Sequence, residues 1–195
     1  MSINNWEKDQ AWEANWWGDC LNTYGEETKQ FEYAPKMGLE VLSDSQGKFF
    51  LIGGVSVLDV GGGPISLLLK CRDRGRSAVV DPCNYPAWIT RRYKEGDIEY
   101  KRTKAEAMSF DEIFDEVWLY NVLQHVDSLE GTVRGCQKYG KIIRVFEWLE
   151  IGVAPGHPHN LLEEELNDLF RGEGKVIPAQ RGKEYYGIFL GDTYE

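Results

Sequence analysis

Apolar positions follow two regimes along the chain. Trp12, Trp16 and Cys20 recur at every fourth position, and Trp17, Leu21 and Tyr24 follow at helical spacing. This predicts an N-terminal helix with a broad apolar face. Residues 27–43 predict a second helix with Phe31, Met37, Leu39 and Leu42 inward and Pro35 as an interruption, and residues 43–47 read as a turn. From residue 55 short apolar runs alternate with helical patterns. Strands are expected at 55–60, 77–80, 98–101, 116–120, 141–146, 175–178 and 185–190. Helices are expected at 65–71, 86–94, 129–139 and 161–170, with Pro64 opening the first. Such alternation builds an α/β fold, a mostly parallel sheet with helices on both faces. The two closing strands, joined by Gln180–Lys183, can pair as a hairpin and supply one antiparallel member. The chain then divides into a helical cap over residues 1–50 and a sheet domain over residues 51–195.

Composition narrows the partners. The chain has 195 residues, 42% of them hydrophobic, which is room for one domain with a small cap. Asp and Glu number 32 against 22 Lys and Arg, for a net charge of −10. A phosphate-backbone binder carries a basic stripe, whereas only Arg72/Arg74/Arg76 and Arg91/Arg92/Lys94 cluster here, so no nucleic-acid partner is expected. No apolar run approaches the roughly 18 residues of a membrane span, and residues 4–9 lack the apolar core of a signal peptide. Cys20, Cys71, Cys83 and Cys136 form no CxxC pair and read as reduced thiols. A cytoplasmic protein without membrane partners is the expectation.

The strongest local signal is Val57-Leu58-Asp59-Val60-Gly61-Gly62-Gly63-Pro64. Glycines at a strand-to-helix turn permit positive φ and let a ligand lie against bare backbone. Asp81 ends the next strand, 20 residues after Gly61, where a carboxylate can accept both ribose hydroxyls of a nucleoside. A dinucleotide fingerprint needs a third glycine where Ser66 stands. The run Asp59–Pro64 instead resembles motif I of the class I S-adenosylmethionine-dependent methyltransferases. Lys104–Phe110 with Phe114–Val117, and Leu119–Val126, are similar to later motifs of that family, in the same order.

The resemblance covers roughly residues 55–195 and implies a Rossmann-like domain that binds S-adenosyl-L-methionine and releases S-adenosyl-L-homocysteine. Asp59, Gly61, Gly62, Gly63 and Asp81 would hold the cofactor, Pro82 and Cys83 would line the adenine pocket, and Asn121 and Val122 would close the site from the strand-four motif. Lys104 stands where the family often has an adenine-contacting aspartate. Glu106, or the backbone of Glu106 and Ala107, would take over that contact. The acceptor is expected to be a small molecule methylated on oxygen or nitrogen.

All three histidines, His125, His157 and His159, fall in loops beyond strand ends, the edge where open α/β sheets bind ligands. Each is a candidate general base or substrate contact. His157 and His159 with Glu147 and Glu150 also offer metal-ligand chemistry, but no spacing fixes a third ligand, so no metal is expected. Asn160, with Glu163 three positions on, reads as a helix cap. Cys71 and Cys136 read as core residues. The N-terminal aromatics pack on the sheet or form a lid over the donor, with Trp17 and Tyr24 nearest to it, and Trp148 would wall the acceptor. Two rival readings remain open: a non-catalytic cofactor-binding partner subunit and an NAD(P)-dependent oxidoreductase.

Overall fold

The computed structural model describes residues 5–192. Helix α1 (Asn5–Trp17) and α2 (Tyr24–Tyr33) lead into a hairpin of β1 (Glu40–Asp44) and β2 (Gly47–Leu51). Then come β3 (Val57–Val60), β4 (Ser77–Val80), α3 (Ala87–Glu95), β5 (Glu99–Lys101), β6 (Phe114–Tyr120), α4 (Leu129–Tyr139), β7 (Gly140–Leu149), α5 (Glu163–Phe170), β8 (Lys175–Pro178) and β9 (Lys183–Leu190). The last seven strands form one sheet ordered β5-β4-β3-β6-β7-β9-β8. Five pair in parallel, and β9 inserts antiparallel between β7 and β8. The expected antiparallel member is therefore β9.

Residues of β3 and β4 are buried on both faces, which explains their mostly apolar runs, interrupted by the buried Asp59 and Ser77. Leu58, Val60, Ala78, Val80, Val117 and Leu119 face a core closed by α4 and α5 through Val133, Cys136, Leu166 and Phe170. Val57, Val79, Trp118 and Phe146 face a second core closed by Ile89 and Tyr93 of α3 and by Ala34, Met37 and Phe50 of the N-terminal segment. Arg144 of β7 makes a two-pronged ion pair with Glu116 of β6 at 2.6 and 2.7 Å and donates to the Met37 carbonyl at 2.9 Å, tying that segment to the sheet.

Three expected elements differ. Helix α1 stops at Gly18 (φ +52), so Cys20, Leu21 and Tyr24 do not extend its face; Leu21 and Tyr24 are exposed. Residues 27–43 are not one helix: α2 gives way to a single 3-10 turn, Ala34–Met37, with Pro35 in its first turn and Gly38 (φ +84) closing it, and the chain leaves as β1. The expected helix at 65–71 is one 3-10 turn, Leu67–Lys70. Cys71 must return to bridge Phe50 of β2, which limits the segment to that turn. Asn160 caps nothing: Leu162 stands at the N-cap of α5 without a side-chain bond, and Asn160 Oδ1 accepts the Gly152 N–H at 2.8 Å across its own loop. Cys71 and Cys136 are buried as expected, and all four thiols are free. No helix among the described residues is long and apolar enough to cross a membrane.

Candidate active site

Strands β3, β4, β6 and β7 all end at one edge, and the turns that follow them line a cavity of about 960 Å³. Its rear wall is the glycine turn. Gly61 (φ +70) lacks a side chain because Val122 fills the space: a Cβ there would lie 2.0 Å from Val122 Cγ2. Gly63 (φ +62) is bare for a different reason. A Cβ there would meet only Trp17 and Tyr85, each at 3.8 Å, within the cavity. Beneath the turn Ser66 donates to the buried carboxyl of Asp59, and a Cβ on Gly62 would press on that same group. Burial, opposed by Ser66, pushes the Asp59 carboxyl up to about 7.

Asp81 is buried at the end of β4. Its carboxyl accepts the Gly63 N–H at 3.0 Å and the Cys83 N–H at 2.9 Å, so it braces the glycine turn from the neighbouring strand. Burial raises its pKa, partly offset by those N–H groups and the Tyr85 hydroxyl. Pro82, Cys83 and Glu106 line the same cavity, whereas Ala107 lies outside its lining. Glu106 Oε1 is already engaged, accepting the Asp127 and Ser128 N–H groups at 2.9 and 2.7 Å ahead of α4. Asn121 adopts φ +53 and accepts from Gln124 at 2.8 Å. Behind it, Glu147 Oε1 receives the Val122 and Leu123 N–H groups, both at 2.8 Å. Glu147 Oε1 is therefore a fixture of the turn after β6.

The histidines divide. His125 Nδ1 lies 2.7 Å from the Gly156 carbonyl and 3.0 Å from Glu13 Oε1 on α1. His157 packs edge-on against it at 4.6 Å between ring centroids, and both line the cavity. His159 stands apart: its Nε2 bonds the Val126 carbonyl at 2.8 Å, and it is not among the lining residues. Burial depresses the His125 pKa, but the Glu13 carboxylate, the Gly156 carbonyl and Glu147 outweigh it, and the net shift is upward. His157 is lowered by burial and by His125. Glu13, His125 and His157 bring donor atoms within 4.8 Å of one another, a grouping different from the His157/His159 pair that the sequence suggests. Trp17 lines the cavity beside Gln10, Trp12, Glu13 and Trp16, and Trp148 lines it too, while Tyr24 is exposed and outside it. No motif marks Glu13 or Gln10 as site residues; the sequence clue to α1 is its tryptophan spacing, which fits packing on the sheet or a lid.

The cavity fits an adenosyl sulfonium. A bare Gly63 backbone faces it, a buried carboxyl braces the turn, and aromatic rings flank the opening. Two buried amide oxygens of lining residues, Gln30 Oε1 and Gln124 Oε1, have no partner, which leaves acceptors for a ligand's donors. Residues 58–141 match the family model described as a methyltransferase domain. The fold is similar to that of the N-methyltransferase NodS from Bradyrhizobium japonicum WM9 in complex with S-adenosyl-L-homocysteine, with TM-score 0.60, 15% identity, and coverage of 97% of this chain and 100% of that one. It is likewise similar to Burkholderia thailandensis 1,6-didemethyltoxoflavin-N1-methyltransferase, with TM-score 0.63, 13% identity, and coverage of 98% and 92%. The [4+2]-cyclase SpnF matches with TM-score 0.51 and 20% identity over 65% of this chain, which spans about half (53%) of SpnF. No curated protein matches the sequence. The glycine turn, the strand order and the match over residues 58–141 agree on a Rossmann-like fold similar to that of methyltransferase domains.

Proposed function

We propose that the protein transfers a methyl group from S-adenosyl-L-methionine to an oxygen or nitrogen of a small-molecule acceptor in the cytoplasm. The observation that carries this reading is the continuity of one cavity from the glycine turn and Asp81 to His125, His157 and Trp148. Bound at the turn, the cofactor supplies an electrophilic methyl on sulfur. The chain's own groups then do the rest. Gly61–Gly63, braced by Asp59 and Asp81, give a surface free of side chains. Pro82, Cys83 and Glu106 border the adenine end, and Asn121 and Val122 shape the floor. Trp17, with Trp6, Trp12 and Trp16 of α1, covers the site and excludes water. The Gly156 carbonyl can only accept, so His125 Nδ1 carries the proton and Nε2 is the basic nitrogen. His125 removes the acceptor's proton, and His157 contacts the acceptor. Tyr24, Ala107 and His159 have no part in this reading, because they lie outside the cavity lining.

Compact size, net charge and a walled cavity favour a small molecule over nucleic acid. The likeness to SpnF, named as a cyclase, makes a direct activity test necessary, since one fold hosts several chemistries. Calorimetry with S-adenosyl-L-homocysteine and with NAD(P), followed by a metabolite screen for transfer of labelled methyl, tests the proposal. Expected are S-adenosyl-L-homocysteine binding and at least one methylated product. NAD(P) binding alone overturns the cofactor assignment. Cofactor binding with no product across the screen favours a non-catalytic partner subunit.

A further inference from the structure

Asp9 and Glu13 of helix α1 make polar contacts with the lip of the cavity. Asp9 accepts the Gly156 N–H at 2.9 Å. Trp12 lies against Gly156 so closely that a Cβ there would meet its ring at 2.4 Å, and its ring centroid is 6.2 Å from that of His157. Glu13 reaches His125 at 3.0 Å, and the same His125 nitrogen meets the Gly156 carbonyl at 2.7 Å. One helix face thus grips the backbone of Gly156 and the rings of both cavity histidines. The Glu13 side chain is 13% exposed, so this carboxylate is largely withdrawn from water.

We propose that Glu13 is a positioning residue whose carboxylate, carried on the covering helix, joins the Gly156 carbonyl at His125 Nδ1–H and supplies the charge that supports the imidazolium, so that the general base is fully assembled only while α1 is docked. The inference rests on the reading of His125 as base and adds to it the group that orients that base. The geometry follows a general rule: an imidazole that must accept a proton at one nitrogen is oriented by an acceptor at the other. In the step itself the acceptor's O–H or N–H bond breaks and its electron pair stays on the heteroatom. The proton goes to His125 Nε2, the imidazolium is held by Glu13 through Nδ1–H, and the proton later leaves to water. Covering the site and setting the base are then one event, which keeps an oriented base away from an open, wet cavity.

The charged and titratable groups around His125 are Glu13 and Asp9 from α1, His157 from the loop after β7, and Glu147 from β7. Glu13 is the only one of them bonded to the His125 ring. Imidazole 15N NMR of the whole chain, assigned with single-histidine variants, reads tautomer and titration without any acceptor. Above its titration, His125 in the parent protein is expected to keep its remaining proton on Nδ1. Glu13→Gln keeps the size and removes the charge, so the His125 titration should move to lower pH. Glu13→Asp should recover part of that shift. Hydrogen exchange of the α1 amides should quicken in Glu13→Gln, and in the parent protein it should quicken as pH rises through the His125 titration. An unchanged His125 titration in Glu13→Gln would overturn the proposal, as would α1 protection factors, corrected for the intrinsic rise of exchange with pH, that are indifferent to both pH and substitution. A metal-bound pattern on addition of zinc, with both histidine rings losing their protons to the ion, would overturn it in favour of a metal site. Failure of S-adenosyl-L-homocysteine to bind would sink the methyltransferase reading instead and leave these readouts intact.

Discussion

Replacing Glu147 with glutamine probes the floor of the site most directly. The carboxyl is buried at the end of β7, with Oε1 receiving two backbone N–H groups at 2.8 Å and Oε2 without a partner. Burial pushes its pKa up to about 7 against the pull of those N–H groups and of His125; an unfolded glutamate keeps the ordinary 4.5. Between those two values the unfolded chain has released the proton that the folded chain retains. Stability from this group is therefore fully present below 4.5 and lost as pH rises through about 7. At roughly 1.4 kcal/mol per pH unit, the interval corresponds to about 3 kcal/mol. Glutamine cannot titrate, so its stability profile should lack this component. Its amide leaves buried donors unpaired, a cost of about 1–3 kcal/mol, but that cost is the same at every pH. Urea denaturation at pH 5, 6, 7 and 8 separates the two effects, because the slope with pH is the readout and the level is not. Wild type should lose about 3 kcal/mol more than Glu147→Gln between pH 5 and pH 8. Parallel profiles would show that Glu147 is ionised throughout, and the account of a carboxylate starved of water would fail.

Six further substitutions test the site and its supports. Gly61→Ala should destabilise the fold by about 3 kcal/mol, since its Cβ meets Val122 Cγ2 at 2.0 Å; Gly63→Ala should cost only the left-handed backbone penalty of about 1–2 kcal/mol yet abolish most S-adenosyl-L-homocysteine binding by calorimetry. Asp81→Asn should weaken that binding by about 1–3 kcal/mol, and an unchanged affinity would remove Asp81 from the cofactor site. His159→Ala should lower thermal stability by about 1 kcal/mol through loss of its bond to the Val126 carbonyl and leave turnover intact, whereas His125→Ala should depress turnover while sparing cofactor affinity. Arg144→Met should cost about 3–5 kcal/mol in chemical denaturation because it strands buried Glu116; a loss under 1 kcal/mol would mean water reaches that pair.

How far the sequence reveals this molecule depends on how local each feature's cause is. The sheet strands are legible because burial on both faces forces mostly apolar runs, as in Val57–Val60 and Ser77–Val80. The glycine turn is legible because only bare backbone satisfies both Val122 and an open cavity. The segment at 27–43 misleads because the apolar spacing of Phe31, Met37, Leu39 and Leu42 suits a helix, while Gly38 at φ +84 redirects the chain into a strand. The helix at 65–71 fails for a longer-range reason, the need to meet Phe50. Glu13 and Glu147 lie at the far end of that scale. No motif marks either, since each acquires its role only by meeting the turn after β6 in three dimensions, Glu147 from below through the Val122 and Leu123 N–H groups and Glu13 from above through His125. The turn after β6 is thus held between a carboxyl of the sheet and a carboxyl of the covering helix, and only the first is fixed by the sheet itself. Under the proposed role of Glu13, the segment Leu119–Val126 is therefore set by two carboxyls, one carried by the sheet and one by the covering helix.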